Sequence, residues 1–370
     1  MGKIKEFRRK YIPISFIVVF FITLVTVIIF GIAKANAAFA DGINNSLSAA
    51  FRIVMSFVSY PFPFSLCEVL ILLALPLLVL LIVIAVRRYN GFEGAVRTSL
   101  RVLAIVGIIF CGYIFALAIP YHTTPLADKI GVEEDTDVTA DELYYTAMLM
   151  VEKVNLLAEE LTVEDGETVM EYSFGELSRK LSEAYEKVRE EYPVFVNAPT
   201  RAKPVAFSGF MADMGLSGIY TYFTGESNVN TAYPDYNLPY TAAHEFAHQR
   251  GIIRENEANF IAHLVCISSD DPFIKYAGYL GMYEYLASSL FRTDKDMYKQ
   301  LLSQLCPTAY SDLVRNSEAV RQHSDSAIGK LVDRLNDSYL KMNGTDGVVS
   351  YGYVTRIAIG YYKNESGIIE

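Results

Sequence analysis

Three long apolar runs in the first third of the chain predict helices that cross a membrane. They extend over about residues 12–33, 65–86 and 102–120. At a rise of about 1.5 Å per residue, each run is long enough for a hydrocarbon core of roughly 30 Å. Backbone polar groups left unpaired in lipid cost several kcal/mol, so the runs should be helical. Residues 1–121 are therefore expected to form an N-terminal membrane region that has lipid as a partner.

The first run has a second interpretation, a cleaved signal peptide. Ala35 and Ala37 supply an A-x-A pattern of the kind that precedes a cleavage site. The apolar part of a signal peptide is only about 7–15 residues long, however, and this run is much longer. Its length therefore favours a retained membrane helix.

Basic residues predict how these helices are oriented. They precede the first run and lie between the second and third runs, whereas the loop of residues 34–64 has only Lys34 and Arg52. The basic residues are Lys3, Lys5, Arg8, Arg9 and Lys10, followed by Arg87, Arg88, Arg97 and Arg101. Cytoplasmic segments carry the excess of lysine and arginine. The N-terminus is thus predicted inside, and three crossings place everything after Pro120 outside the membrane.

Residues 122–370 have the pattern of a mainly helical domain with a small sheet. Thr139 with Glu142, and Ser173 with Glu176, are capping-box pairs that precede residues of helical spacing. Residues 203–230 are instead rich in β-branched and aromatic residues and are punctuated by glycine, which predicts short strands. Helical spacing returns from Pro239. We expect an α+β domain whose sheet directly precedes the histidine-containing helix.

Charge and cysteine content exclude some kinds of site. The formal net charge is −10, so nothing indicates a nucleic-acid partner, which would need basic residues to neutralise phosphates. The four cysteines form no CxxC pair, and a cysteine zinc site or redox motif is unsupported. Cys266 and Cys306 could pair, although their spacing does not require it.

The segment HEFAH is the strongest candidate for chemistry. On a helix that begins near Pro239, His244 and His248 are four residues apart and share one face, so both imidazoles can bind one zinc ion. Zinc lowers the pKa of a bound water to about 7, and Glu245 is then a competent general base. In random order, this motif would occur fewer than about 0.01 times in such a chain.

A third zinc ligand has to come from beyond this helix. Gly251 allows the chain to turn, and helical spacing restarts at residues that include Glu255 and Glu257. At about 100° per residue, Glu255 shares the small-residue face of that second helix, whereas Glu257 points about 200° away. Glu255 is therefore the favoured ligand and Glu257 the alternative. The other histidines are expected to have packing roles or, for His263, to support the ligands: His122, His263 and His323.

The residues HEFAHQRG at 244–251 and ENEAN at 255–259 resemble an uncharacterised family of bacterial membrane proteins in the gluzincin-like zinc peptidase superfamily. The resemblance extends over nearly the whole chain. It implies a zincin-like fold, one zinc ion per chain, and the glutamate of an E-x-x-A-(D/N) motif as third ligand, which falls on Glu255. The spacing departs from many gluzincins, because only six residues separate His248 from Glu255. It is closer to the metzincin pattern HExxHxxGxxH, in which Arg254 would occupy the third-ligand position.

Three functions are consistent with these residues. The first is a zinc peptidase that is anchored in a bacterial cytoplasmic membrane and hydrolyses peptide or protein substrates outside it. The second is an intramembrane zinc protease, which charges around the motif, such as Asp235 and Arg250, disfavour. The third is a zinc-binding structural or regulatory protein without turnover. Glu245 is not needed as a ligand, so its presence favours an enzyme.

Substrate binding is predicted at residues 217–230, which directly precede the site helix. An edge strand there could pair its main chain with an extended peptide. Asn228 and Asn230 are expected near the rim of the cleft, where they could contact substrate. Tyr351 and Tyr353 are weaker candidates for a donor to the oxyanion.

Overall fold

The computed structural model of the chain describes residues 10–88, 91–134, 137–323, 326–342 and 353–366. The chain is mostly helical (73%), with a small sheet and an apolar N-terminal helix, as the sequence pattern predicts. In the N-terminal part, the helices are α1 (Ile14–Ala35), α2 (Ala37–Ile43), α3 (Ala49–Ser59), α4 (Leu66–Arg88), α5 (Phe92–Tyr113) and α6 (Leu126–Ile130). A π-helical turn, Asn44–Ser48, joins α2 to α3.

Two helices among the described residues are long and apolar enough to cross a membrane. They are α1 and the continuous helical segment from Phe92 to His122, which extends α5. Many large apolar side chains on both are exposed, such as Phe21 and Ile108. A chain of this kind is suited to association with a membrane. The second expected span, at residues 65–86, is helical as part of α4, and the three-crossing topology remains a prediction.

The remaining helices and strands lie between residues 140 and 366. The helices are α7 (Ala140–Ala158), α8 (Phe174–Glu191), α9 (Ser208–Asp213), α10 (Asn237–Gln249), α11 (Glu255–Ser268), α12 (Pro272–Thr293), α13 (Lys295–Leu302), α14 (Pro307–His323), α15 (Ala327–Met342) and α16 (Val354–Ser366). The strands are β1 (Val163–Glu164), β2 (Glu167–Thr168), β3 (Ala202–Pro204), β4 (Gly218–Thr221) and β5 (Glu226–Val229).

Helix starts follow the capping signals in the sequence. Thr139 and Glu142 form a complete capping box at the start of α7, in which each side chain bonds the other residue's backbone N–H. Ser173 accepts a hydrogen bond from the N–H of Glu176 at the start of α8. These bonds satisfy N–H groups that a helix leaves unpaired in its first turn.

The larger sheet has the strand order β3-β5-β4. The central strand β5 pairs with β3 in parallel and with β4 in antiparallel orientation. The strands β4 and β5 belong to the region where the sequence predicts a sheet, but the short helix α9 interrupts that region. The sheet packs against α10 through both β4 and β5.

Helix α10 lies at the centre of the domain, between the sheet and the helices α11 and α12. Close approach of these helices depends on small residues. A Cβ atom at Gly281 on α12 would lie 2.7 Å from the ring of Tyr240 on α10, and one at Gly278 would lie 2.5 Å from Cβ of Cys266 on α11. All four cysteines are free thiols, so the pair Cys266 and Cys306 is not a disulfide.

Contacts cross the boundary expected at residue 121. Glu226, on β5, accepts hydrogen bonds from the N–H groups of Leu66 and Cys67 at the start of α4, and it forms a buried ion pair with Lys203. Lys203 also donates to the carbonyl oxygen of Ser59 at 2.9 Å. Although the domain boundary stays a prediction, the N-terminal helices and the sheet share buried polar contacts.

Candidate metal centre

Three candidate ligands meet between α10 and the start of α11. Nε2 of His244 lies 3.3 Å from Oε2 of Glu255, and Nε2 of His248 lies 3.6 Å from Oε1 of the same carboxylate. One ligand atom from each of the three residues falls within 4.8 Å of the others. The helical spacing aligns the two imidazoles, and the turn at Gly251, with a φ of 91°, brings α11 back toward them. Two imidazoles and a carboxylate are a donor set typical of catalytic zinc, which leaves a fourth position for water.

The ring orientation of His248 suits a metal ligand. Its Nδ1 lies 2.8 Å from the carbonyl oxygen of Ile252. Because a carbonyl only accepts, Nδ1 carries the proton, and the lone pair of Nε2 faces Glu255. Burial and the nearby His244 lower the pKa of His248 to about 4. The imidazole is therefore neutral at physiological pH, which is the form that binds a metal.

His244 and Glu255 shift each other's pKa in opposite directions. Burial would raise the pKa of Glu255, but its interactions with the two imidazoles, His248 first and then His244, outweigh burial and lower it. Conversely, the pKa of His244 is raised, because the contact with Glu255 outweighs burial. Nδ1 of His244 is buried and has no hydrogen-bond partner among the described residues.

Glu245 is positioned beside this cluster. Its side chain is buried, and its Oε2 has no hydrogen-bond partner in the described part of the chain. Burial raises the pKa of Glu245 to about 8, with a further contribution from Glu255 and an opposing one from His244. Strand β4 passes directly over the carboxylate: a Cβ atom at Gly218 would lie 2.5 Å from Oε1 of Glu245. Only glycine permits this approach.

A cavity of 920 Å³ opens over these residues. One wall is the chain from Gly215 to Tyr220, which includes most of β4, and the opposite wall is the face of α12 that carries Gly281, Glu284 and Tyr285. The segment after α5 adds Leu117 and Tyr121. Among the described residues, no lysine or arginine lines the cavity, whereas Glu245, Glu255 and Glu284 do.

The family to which the chain belongs follows from comparison with known proteins. The model of a family of proteins of unknown function, DUF3810, matches residues 39–359. The chain belongs to the DUF3810 family. No curated protein and no solved structure matches it. The segment shared with DUF3810 begins within α2 and therefore includes N-terminal helices as well as the metal-ligand cluster.

Glu257, the alternative ligand in this DUF3810 protein, faces away from the cluster. It accepts hydrogen bonds from the N–H of Leu126 at 2.9 Å and from Arg254 at 2.7 Å. Arg254 in turn donates to the carbonyl oxygens of Tyr121 and Thr123. Glu257 thus connects α11 to the segment that follows the N-terminal apolar helices, and Glu255 alone of the two carboxylates meets the histidines.

The prediction that Asn228 and Asn230 lie at the rim of the cleft is wrong. Both are 1% exposed, and neither lines the cavity. The amide of Asn228 donates to the carbonyl oxygen of Ile219, and that of Asn230 donates to the carbonyl oxygen of Leu216. The two side chains instead support the strand that borders the cavity, because β5 occupies the centre of the sheet and β4 its edge.

The remaining candidates are not in the cavity or cannot be placed. Tyr351 lies outside the described residues. Tyr353 stacks against Arg356 and does not line the cavity. His263 is fully buried and bonded to the carbonyl oxygen of Gly278 and the hydroxyl of Tyr362, as expected for a packed imidazole. His323 pairs with Asp213 at 2.6 Å.

The cavity also contains residues that sequence reasoning missed. Tyr121, Tyr240, Glu284 and Tyr285 all line it. In this chain of 26 tyrosines, no local pattern distinguishes those that face the cavity. Glu284 is the single acidic residue of α12, and this is the signal that the sequence offers.

Proposed function

We propose that this protein is a membrane-anchored zinc peptidase with a zincin-like catalytic domain. The observation that carries the proposal is the meeting of His244, His248 and Glu255, with the buried carboxylate of Glu245 beside them. Three protein ligands would hold zinc and leave one position open. A site that only had to bind zinc for structural purposes would not need a fourth, buried acid at this place.

The chemistry that follows is hydrolysis of an amide bond. Zinc bound by the three ligands would polarise the scissile carbonyl and acidify a water molecule. Glu245 would accept a proton from the attacking water and then donate it to the leaving amine nitrogen. The carbonyl oxygen of Ile252 would keep the imidazole of His248 oriented while the charge at the site changes.

Strand β4 supports a peptide as the substrate. The N–H of Asn230 bonds the carbonyl oxygen of Ser217, which sets the alternation of the antiparallel pair β4–β5. By this alternation, backbone groups of Gly218 and Tyr220 point away from β5, at the edge that borders the cavity. An extended peptide of any sequence could pair its main chain with this edge. Such pairing gives affinity without demands on the peptide's side chains.

We further propose that the catalytic domain lies outside the cytoplasmic membrane of a bacterium, with the N-terminus inside. The distribution of basic residues supports this orientation. A reporter fused after Glu370 should be active only outside the membrane. Activity in the cytoplasm would contradict the proposed compartment, although not the zinc site.

The experiment that tests the function uses the full-length chain in detergent, because Leu117 and Tyr121 belong to the cavity wall. Purified protein should contain about one zinc per chain and cleave members of a broad library of extended peptides. Removal of zinc by a chelator should abolish cleavage, and added zinc should restore it. Full zinc occupancy without any cleavage would instead identify a structural or regulatory zinc protein, and absence of zinc would overturn the proposal.

A further inference from the structure

A second carboxylate lies in the cavity wall, away from the metal ligands. Glu284 on α12 accepts hydrogen bonds from the hydroxyl of Tyr236 at 2.9 Å and from the amide of Asn316 at 3.0 Å. Asn316 is itself held by Asn237 at 2.8 Å. Each carboxylate oxygen therefore has one neutral donor, and the carboxylate has a fixed orientation.

Among the described residues, Glu284 forms no ion pair, although Arg321 lines a neighbouring cavity that Glu284 also borders. A carboxylate offers about four acceptor positions, and these two hydrogen bonds use half of them. None of the described residues that line the cavity is a lysine or an arginine. Burial raises the pKa of Glu284 to about 7, which reflects the same lack of a neighbouring cation. A half-buried carboxylate in a cavity is costly unless something pairs with it.

The distance of Glu284 from the cluster can be estimated along α10. Gly281 lies against Tyr240, one turn before His244, and Glu284 contacts Tyr236, one turn further. At about 1.5 Å per residue, Asn237 is roughly 10 Å from His244 along the helix axis. An extended peptide rises about 3.3 Å per residue, so this distance corresponds to about three residues.

We infer that Glu284, held by Tyr236 and Asn316, is a subsite for a cationic group of the substrate, about three residues from the bond that is cleaved. The cation is an alkylammonium or a guanidinium. A lysine side chain or a free peptide amino terminus supplies an ammonium group, and an arginine side chain supplies a guanidinium. This subsite rests on the proposed function, since it specifies which peptides the cavity accepts. The bound cation donates hydrogen bonds to the two unused acceptor positions of Glu284 and neutralises its charge.

The test measures peptide binding to the full-length chain in detergent. Its background is the Glu245→Gln variant, so that hydrolysis does not interfere. The probes are hexapeptides with blocked ends, in which one lysine replaces norleucine at each position in turn. A norleucine hexapeptide with a free amino terminus forms a separate arm. We expect one lysine position, or the free amino terminus, to bind about tenfold more tightly than the neutral host, as for a partly desolvated charge pair.

Adding Glu284→Gln should reduce this preference to a ratio near one. Glu318→Gln should preserve the preference for the cationic peptide. This control removes a carboxylate that pairs with Arg315 on the same helix, α14. A cationic peptide without any advantage, or an advantage that survives Glu284→Gln, would overturn the inference and leave the proposed function intact.

If no hexapeptide binds, the proposed function fails, and the small guanidinium agmatine then tests the subsite alone. Saturation-transfer NMR should detect binding of agmatine to the chain with intact Glu284 and no binding to the Glu284→Gln variant. No signal with intact Glu284 would overturn the inference.

Discussion

Nδ1 of His248 donates a hydrogen bond to the carbonyl oxygen of Ile252, with 2.8 Å between the two atoms. Ile252 directly follows the turn at Gly251, so the backbone that reverses the chain also fixes the tautomer of a proposed metal ligand. The other nitrogen of the ring then faces Glu255, at the start of the next helix. The helix, the turn and the second helix thus act together to orient one imidazole.

The choice between the two glutamates is the first prediction. Glu255→Gln should reduce zinc content to well below one per chain, because it removes a charged ligand. Glu257→Gln is the matched control and should retain zinc, since Glu257 bonds Leu126 and Arg254 instead. Elemental analysis of both full-length variants after gel filtration checks this. Zinc lost from Glu257→Gln and kept in Glu255→Gln would contradict the assignment.

The second prediction concerns the base. Glu245→Gln should keep zinc, because Glu245 is not in the ligand cluster, and should lower kcat on a cleaved peptide by a factor on the order of 10² or more. The measurement is kcat together with zinc content in the same preparation. A variant with full activity would show that Glu245 does not transfer the proton.

The third prediction tests the contact between the edge strand and the base. A Cβ atom at Gly218 would collide with the carboxylate of Glu245 and with the side chain of Thr241. Gly218→Ala should therefore displace β4 or Glu245 and lower kcat/KM at least tenfold, a loss of about 1.4 kcal/mol in transition-state stabilisation. Zinc content should be unchanged.

Gly209→Ala is the matched control for this substitution, because a Cβ atom at that position meets no atom within 4 Å. It should leave kcat/KM unchanged. If Gly218→Ala is as active as Gly209→Ala, β4 does not constrain the site.

The fourth prediction concerns the N-terminal helices and their contacts with the turn after α10. Asn44, in the π-helical turn, donates to the carbonyl oxygen of Gly251, and Arg52 donates to the backbone of Asn44 and of Arg250. Asn44→Ala should lower the free energy of unfolding by about 1–2 kcal/mol, because it leaves a buried backbone acceptor unpaired. Thermal melts of full-length protein in detergent measure this.

Asn36→Ala is a control for Asn44→Ala, since Asn36 makes an exposed helix cap in the same region. Asn36→Ala should lower the free energy of unfolding less than Asn44→Ala does. Asn36→Ala should also leave the affinity for zinc unchanged. Equal effects would indicate that Asn44 stabilises only its own helix and has no part in holding the turn after α10.

Sequence alone predicted the cluster of His244, His248 and Glu255 because its assembly depends on local spacing. His244 and His248 share a helix face by periodicity, and the face argument that favoured Glu255 over Glu257 agrees with where the two carboxylates lie. Asn228 was misplaced because nothing in the pattern reveals that β3 pairs in parallel with β5 and makes it the central strand. Glu284 was missed for a related reason, since it reaches the cavity only through the packing of α12 on α10.

The fifth prediction is a pH dependence of stability that originates at Glu284. Its pKa in the folded chain is raised by burial to about 7, against 4.5 for an ordinary glutamate. Between these values, the folded state keeps a proton that the unfolded state has lost. Stability from this group is therefore fully present below pH 4.5, falls as pH rises and levels off above about pH 7. The loss is at most about 3 kcal/mol, from the difference between the two pKa values.

Glu284→Gln should flatten this part of the stability profile, whereas Glu318→Gln should have the same slope as the unmodified chain. Three neighbouring tyrosines interact with Glu284, and raised pKa values keep them neutral throughout this range: Tyr236, Tyr240 and Tyr283. Their titration therefore does not contribute to the slope. Thermal melts of the metal-free full-length chain between pH 5 and pH 8 provide the comparison. An identical slope with and without Glu284 would mean that its carboxylate is paired in the folded chain, which would also weaken the case for a cationic ligand there.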